Sequence, residues 1–214
     1  IISREVERLE RIVQDVRGLS RDILLTPAET DLHALLRECL VLFAERIALQ
    51  RVAVRMEFTD PFPLLRLDPV QMKQALMNLM VNALEAMPGG GALTLSTQLA
   101  GAEREPAADA ASGGRPDTDI RVATAGPDDA SGAPAFAKTI PRWAMIGITD
   151  TGGGIPPDIL GEVFNPFFTT KEVGTGLGLA LVRRVARSHG GRVEVDNRPG
   201  QGVTFTLWLP IAPR

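Results

Sequence analysis

Asp68-Pro69-Val70-Gln71-Met72-Lys73-Gln74-Ala75-Leu76-Met77-Asn78-Leu79-Met80-Val81-Asn82-Ala83-Leu84-Glu85-Ala86 decides the fold. Asp68 is a capping carboxylate and Pro69 stands at the first helical position, so a helix starts here. It should run to about Ala86, where Met87-Pro88-Gly89-Gly90-Gly91 stops it. Gln71, Gln74, Asn78, Asn82 and Glu85 share one face, and Met72, Leu76, Leu79, Met80, Ala83 and Met87 share the opposite one. Asn is unfavourable inside a helix, so two on one face need a reason. An amide oxygen can ligate Mg²⁺ without adding repulsion against a triphosphate, while water and phosphate oxygens supply the other ligands. The alternative is a solvated polar face, and the helix taken alone favours it.

Outward from this helix, alternating hydrophobicity marks strands at 52–58, 92–99, 143–149, 192–197 and 203–209, with a short one at 64–67. Helical patterns cover 31–50, 157–163 and 178–189. The strands outnumber those of a doubly wound fold, and helices stand between them. The expected class is α+β: a two-layer α/β sandwich with a mixed sheet and helices on one face. About two thirds of residues 101–142 are Ala, Gly, Pro, Asp or Ser, which reads as a flexible insertion between two adjacent strands. At the other end, Ile2, Val6, Leu9, Val13, Val16, Ser20 and Ile23 form a heptad seam on a coiled-coil-like helix over 1–25, closed by Pro27. A single helix cannot bury that stripe alone, so it calls for partner helices. The division is therefore 1–26 as a helical arm and 27–214 as the main domain.

A chain of 214 residues holds one good-sized domain. Its net charge of −3 gives no support for nucleic-acid binding. No apolar run approaches the ~18–20 residues of a membrane span, so no membrane contact is expected of this chain. Cys39, the single cysteine, lies in an apolar run and reads as a small buried residue. The chain opens at Ile1 without Met, which reads as a piece of a longer protein.

Three further motifs carry chemistry. Asp150 ends an apolar strand and begins Asp150-Thr151-Gly152-Gly153-Gly154-Ile155. A partly desolvated carboxylate there needs hydrogen-bond donors, and the glycines leave room for a flat ligand against backbone. Taken in isolation, the motif reads better as a plain Asp-Thr-Gly-Gly turn. Phe164-Asn165-Pro166-Phe167-Phe168-Thr169-Thr170-Lys171 combines apolar anchors with a cation. Gly174-Thr175-Gly176-Leu177-Gly178 then opens a helix whose N–H groups can receive phosphate. The glycines do not have the spacing of a Walker loop and do not follow a strand directly. His33 and His189 read as packing or surface residues.

These four motifs, in this order, resemble the ATP-binding domain of bacterial sensor histidine kinases, within the ATPase superfamily shared with gyrase and MutL-type proteins. The resemblance spans nearly the whole chain and implies the Bergerat-type ATP-binding fold. It assigns Asp150, Gly152, Gly154 and Ile155 to the adenine end. It makes Asn82 the Mg²⁺ ligand and sets Asn78, Lys171, Gly174, Thr175, Gly176, Leu177 and Gly178 around the phosphates, with Asn78 and Lys171 as the catalytic pair. Gly200-Gln201-Gly202-Val203-Thr204-Phe205 resembles the family's last motif, and Thr204 is carried as a further nucleotide contact, although the family often places Thr directly after the second glycine of that motif, where this chain has Val203. Gyrase-like members have Glu four residues before the Mg²⁺-binding Asn; Asn78 stands there and cannot take a proton. This favours holding ATP for transfer over hydrolysing it. The run around Asn82 is more similar to the nitrogen-regulation type of histidine kinase than to the osmosensor type.

The resemblance further implies that residues 1–25 are the second helix of a dimerising hairpin, with the acceptor histidine on a first helix outside this chain. The expected partners are then ATP, that histidine helix and a response regulator, in a parent that is a homodimer. The expected location is cytoplasmic, under a parent with a possible inner-membrane anchor. The rival readings are a nucleotide-binding regulatory pseudokinase acting through its helical arm and a hydrolytic clamp of the gyrase or MutL type.

Overall fold

The computed structural model describes residues 24–101, 142–171 and 174–211. Residues 1–23 of the helix expected over 1–25, and nearly all of the 101–142 insertion, lie outside them; Leu24 and Leu25 are described and are not helical. The element order is β1 Ala28–Thr30, α1 Leu32–Leu42, α2 Ala44–Gln50, β2 Val52–Phe58, β3 Leu65–Leu67, α3 Pro69–Ala86, β4 Gly91–Ala100, β5 Trp143–Asp150, α4 Gly178–Ser188, β6 Arg192–Arg198 and β7 Gly202–Pro210. Five strands form one mixed sheet in the order β2-β4-β5-β7-β6. β2 runs parallel to β4, and the remaining neighbours are antiparallel. β1 and β3 form a separate antiparallel pair.

Strand alternation sorts the sheet into two faces. Leu93, Leu95, Ile146, Ile148, Val193, Val195, Phe205, Leu207 and Leu209 are buried against α1, α3 and α4, which bring Leu36, Met72, Leu76, Met80, Leu181, Val182 and Val185. The two-layer α/β sandwich with a mixed sheet is therefore the observed architecture.

Three details differ from the sequence reading. The helix expected over 31–50 breaks at Phe43, whose N–H reaches back to the Leu40 carbonyl at 3.0 Å and tightens the last turn of α1. The helix expected over 157–163 is a run of turns, with Ile159 N–H to Pro156 O at 3.2 Å and Glu162 N–H to Ile159 O at 2.9 Å. Two prolines in succession, Pro156 and Pro157, withdraw two N–H donors from that segment. Strand β1 is too short to show a period.

Asp68 shows how the fold fixes α3. One carboxylate oxygen accepts from Val70 N–H at 3.0 Å and Gln71 N–H at 3.1 Å, and the other from Thr26 N–H at 2.9 Å. The Asp68 N–H donates to His189 Nε2 at 2.9 Å. Because Nε2 accepts, the ring proton sits on Nδ1 and goes to the Val185 carbonyl at 2.8 Å. His189 thus ties the end of α4 to the start of α3, a structural role. Burial works to raise the Asp68 carboxyl, but the three N–H donors outweigh it and hold it below the usual range. A depressed carboxylate contributes stability above its unfolded value, and that stability is lost as pH falls through the folded value. Asp68→Ala should therefore cost about 2 kcal/mol at pH 7, with the difference shrinking below about pH 4. Urea unfolding of both proteins at pH 7 and pH 3 reads this directly.

Candidate functional site

A cavity of about 400 Å³ opens between α3, the ends of β5 and β7, and the segment from Gly154 to Gly178. α3 supplies Asn78, Asn82 and Glu85 from one face, because positions four and three apart stack along a helix. Its other face carries Met72, Leu76 and Met80, all fully buried. The stripe from Asn78 to Glu85 therefore lines the cavity, with Glu85 also exposed to solvent, whereas Gln71 and Gln74 do not line it.

Asp150 marks one end of the cavity. Its residue is only 3% exposed, and Oδ1 accepts from the Gly152 N–H at 2.9 Å. Burial pushes its carboxyl above the usual range, and hydrogen bonds from the Gly152 and Val203 N–H groups only partly oppose this. Asp68 and Asp150 are both buried, yet they shift in opposite directions. The first is saturated with donors; the second lines a cavity and has acceptor capacity left over.

At the other end, Lys171 Nζ lies 3.2 Å from Asn82 Oδ1 and forms an ion pair with Glu85. Asn78 Nδ2 points to the Gly178 carbonyl at 3.4 Å, across to the start of α4. Leu177 stands at the N-cap of α4 and makes no side-chain hydrogen bond to the helix, and its own N–H donates to Thr175 Oγ1 at 3.4 Å. Phe168 adds an apolar wall, and Phe164, buried beneath, meets Phe205 edge-on at 6.3 Å.

The structure brings together most of the residues expected from sequence. Asn78, Asn82, Asp150, Gly154, Ile155, Lys171, Gly174, Thr175, Gly176 and Gly178 all line the cavity. Three others do not. Gly152 packs under the Ala86 carbonyl, 2.7 Å from where its Cβ would stand, and acts through its N–H on Asp150. Leu177 is buried below the loop. Thr204 turns its hydroxyl to Thr149 at 2.9 Å on the open face of the sheet. Strand alternation explains the last case: Val203 and Phe205 face the cavity, so Thr204 faces away. His33 stacks on Phe58 at 4.5 Å and meets Thr97 Oγ1 at 2.8 Å, and burial lowers its affinity for a proton. Buried Cys39 is pushed up to about 11, as burial does to a thiol, and so is unreactive.

This geometry agrees with the comparisons to known proteins. The sequence pattern of the histidine kinase-, DNA gyrase B-, and HSP90-like ATPases matches residues 67–213. The chain belongs to this ATPase family. Among its relatives, sensor histidine kinase ZraS of Escherichia coli K12 is 29% identical over 211 residues, covering 99% of this chain and 37% of the relative. Sensor kinase CckA of Brucella abortus is 33% identical over 213 residues, covering 98% of this chain and 20% of the relative. The chain thus spans well under half the length of these relatives. Full-length ShkA in complex with AMPPNP aligns at TM-score 0.70 and 26% identity, covering 99% of this chain and 38% of ShkA. Histidine kinase ThkA in complex with the response regulator TrrA aligns at TM-score 0.68 and 26% identity, covering 100% of this chain and 50% of ThkA. Among the described residues of this ATPase-family chain, no helix is long and apolar enough to cross a membrane.

Proposed function

We propose that this chain is the ATP-binding catalytic part of a two-component sensor histidine kinase. One observation carries the reading: a single cavity has the buried carboxylate of Asp150 at one end and the Lys171 ammonium beside the Asn82 amide oxygen at the other. An adenine amino group supplies the donor that Asp150 lacks. Gly154, Ile155 and Val203 form a flat wall for the base, and Phe168 closes the apolar side. The phosphates then run toward Asn78, Lys171 and the Gly174–Gly178 segment, ending at the N-terminus of α4.

Mg²⁺ fits the oxygen donors at this end. Asn82 Oδ1 is a hard neutral ligand, and Glu85 stands one turn along the same helix face. No group of three His, Cys, Asp or Glu side chains stands together among the described residues, so the remaining ligands would be phosphate oxygens and water. The metal would neutralise charge developing on the phosphates. Lys171 exchanges its contacts with Asn82 and Glu85 for a phosphate oxygen and acts as a point charge. Asn78 offers an amide rather than a carboxylate, so the site has no base at that position to activate water. The γ-phosphoryl group instead leaves the β–γ bridging oxygen and forms a bond to an imidazole nitrogen of the acceptor histidine, releasing ADP. Positioning and electrostatics supply the catalysis. Residues 1–26 would serve as the second helix of the dimerising hairpin, and a response regulator would take the phosphoryl group onward.

Two measurements test this. Calorimetric titration should show Mg-ATP binding to the wild type. Radiolabelled ATP should then transfer its γ-phosphoryl group to a separately supplied histidine-bearing hairpin, and Asn82→Ala should lower that transfer by about a hundredfold or more. A folded wild type that binds no Mg-ATP would end the ATP reading. Binding without transfer to any hairpin tried would favour the regulatory module.

A further inference from the structure

The row of core-facing residues on β6 runs Val193, Val195, Asn197. The first two are apolar and fully buried, and the third is a buried amide with 9% exposure. A buried amide is costly unless its groups are paired. Asn197 Oδ1 accepts from the Ile155 N–H at 2.8 Å, and Asn197 Nδ2 donates to the Ile155 carbonyl at 2.7 Å. One side chain therefore satisfies both backbone groups of one residue, as a neighbouring strand would. The same loop is fastened next door, where the Gly200 N–H reaches the Gly153 carbonyl at 2.8 Å. Gly154 is pressed onto the hairpin backbone, with the Arg198 carbonyl 2.8 Å from the place of its missing Cβ. Ile155 and Gly154 line the cavity beside Asp150, whereas Asn197 itself does not.

We infer that Asn197 is a positioning residue for the base end of the nucleotide site. Its amide sets the distance between the Gly154–Ile155 wall and Asp150, and thereby the width of the slot that takes the flat base. This rests on the nucleotide reading given above and deepens it. The amide is required specifically. Leu keeps the branched skeleton but puts larger methyl groups in place of the amide and leaves the Ile155 N–H and carbonyl without partners, whereas Ala removes the amide without adding bulk. Asp keeps an acceptor for the N–H but sets a second oxygen against the Ile155 carbonyl.

The test compares wild type, Asn197→Leu and Asn197→Ala with two ligands: Mg-ATP, and Mg-tripolyphosphate, which has phosphates but no base. Binding is read by competition against a fluorescent ATP analogue, after thermal melts select the variants that keep a cooperative transition. The expected result is that Mg-ATP binds about tenfold more weakly to both variants while tripolyphosphate competes as it does with the wild type. Unchanged Mg-ATP binding in a folded variant would overturn the proposal. Equal weakening of both ligands would also overturn it, since that is general loosening of the fold. A wild type that binds Mg-ATP with variants that match it defeats only the role of Asn197; a wild type that binds neither ligand defeats the nucleotide reading, and this proposal with it.

Discussion

Asp150→Asn will weaken Mg-ATP binding by about a hundredfold or more, an effect on the scale of removing a buried charge-assisted hydrogen bond, and yet will melt no lower than the wild type at pH 7. The first effect follows from what an amide presents. Asn turns an NH₂ group toward the place where the carboxylate had an acceptor, so it meets the base's amino group donor to donor. The second follows from linkage. Burial raises the folded-state Asp150 carboxyl above the usual range, so the folded protein holds that proton more tightly than the unfolded chain does. The ionised form is then a cost, absent at low pH and appearing as pH rises from the unfolded value through the folded one. Asn never bears this cost. Melting curves from pH 7 to pH 4 should show the variant's relative advantage disappearing toward the acid end. A variant clearly less stable than the wild type at pH 7 would contradict the cost assigned to the buried charge, and undiminished Mg-ATP binding would remove Asp150 from the site.

Gly202→Ala will unfold the protein or destabilise it by about 4 kcal/mol, among the largest single-residue effects expected. Gly202 has φ +117, and a Cβ placed there would stand 1.9 Å from the Asp150 carbonyl oxygen. The obstacle is backbone in the paired strand β5, so no flexible side chain can yield. Any folded fraction must displace the Asp150 backbone and should bind nucleotide poorly. Gly200→Ala is the control: its φ is +77, but nothing lies within 4 Å of the added Cβ. It should cost only about 1 kcal/mol. Denaturant unfolding of the pair separates backbone collision from conformational preference; equal losses would refute the collision.

Much of this was readable in the sequence because the chemistry was local. Asp68 and Pro69 announce α3 through capping alone, and the Asn78–Asn82 spacing places both amides on one face whatever surrounds them. Asp150 stands at a strand end in both the reading and the structure. The parts that were not readable depend on distant partners. Strand β1 exists because Ala28–Thr30 finds Leu65–Leu67, and three residues show no period. Thr204 lies one position past the cavity-lining Val203, and in a strand that single step carries a side chain from one face to the other. Asn197 does leave a trace in the sequence: a polar residue in the third place of a Val-x-Val-x row marks a buried amide with something to hold. Its partner, Ile155, lies 42 positions earlier, so spacing could not reveal it.

The pairing of β4 with β5 has a consequence for engineering. The strands meet at Ala100 and Trp143, and the Arg142 N–H closes on the Ala100 carbonyl at 2.9 Å. Asp150, opposite Leu93, lies at the other end of the same ladder, roughly 24 Å away at the usual rise per residue. Chain-closure entropy grows only slowly with length, so this junction should tolerate segments of very different size with little effect on the pocket. A fluorescent protein grafted between Ala100 and Trp143 would ride on the strand pair that ends in Asp150. Such a chimera is a starting frame for a genetically encoded nucleotide reporter.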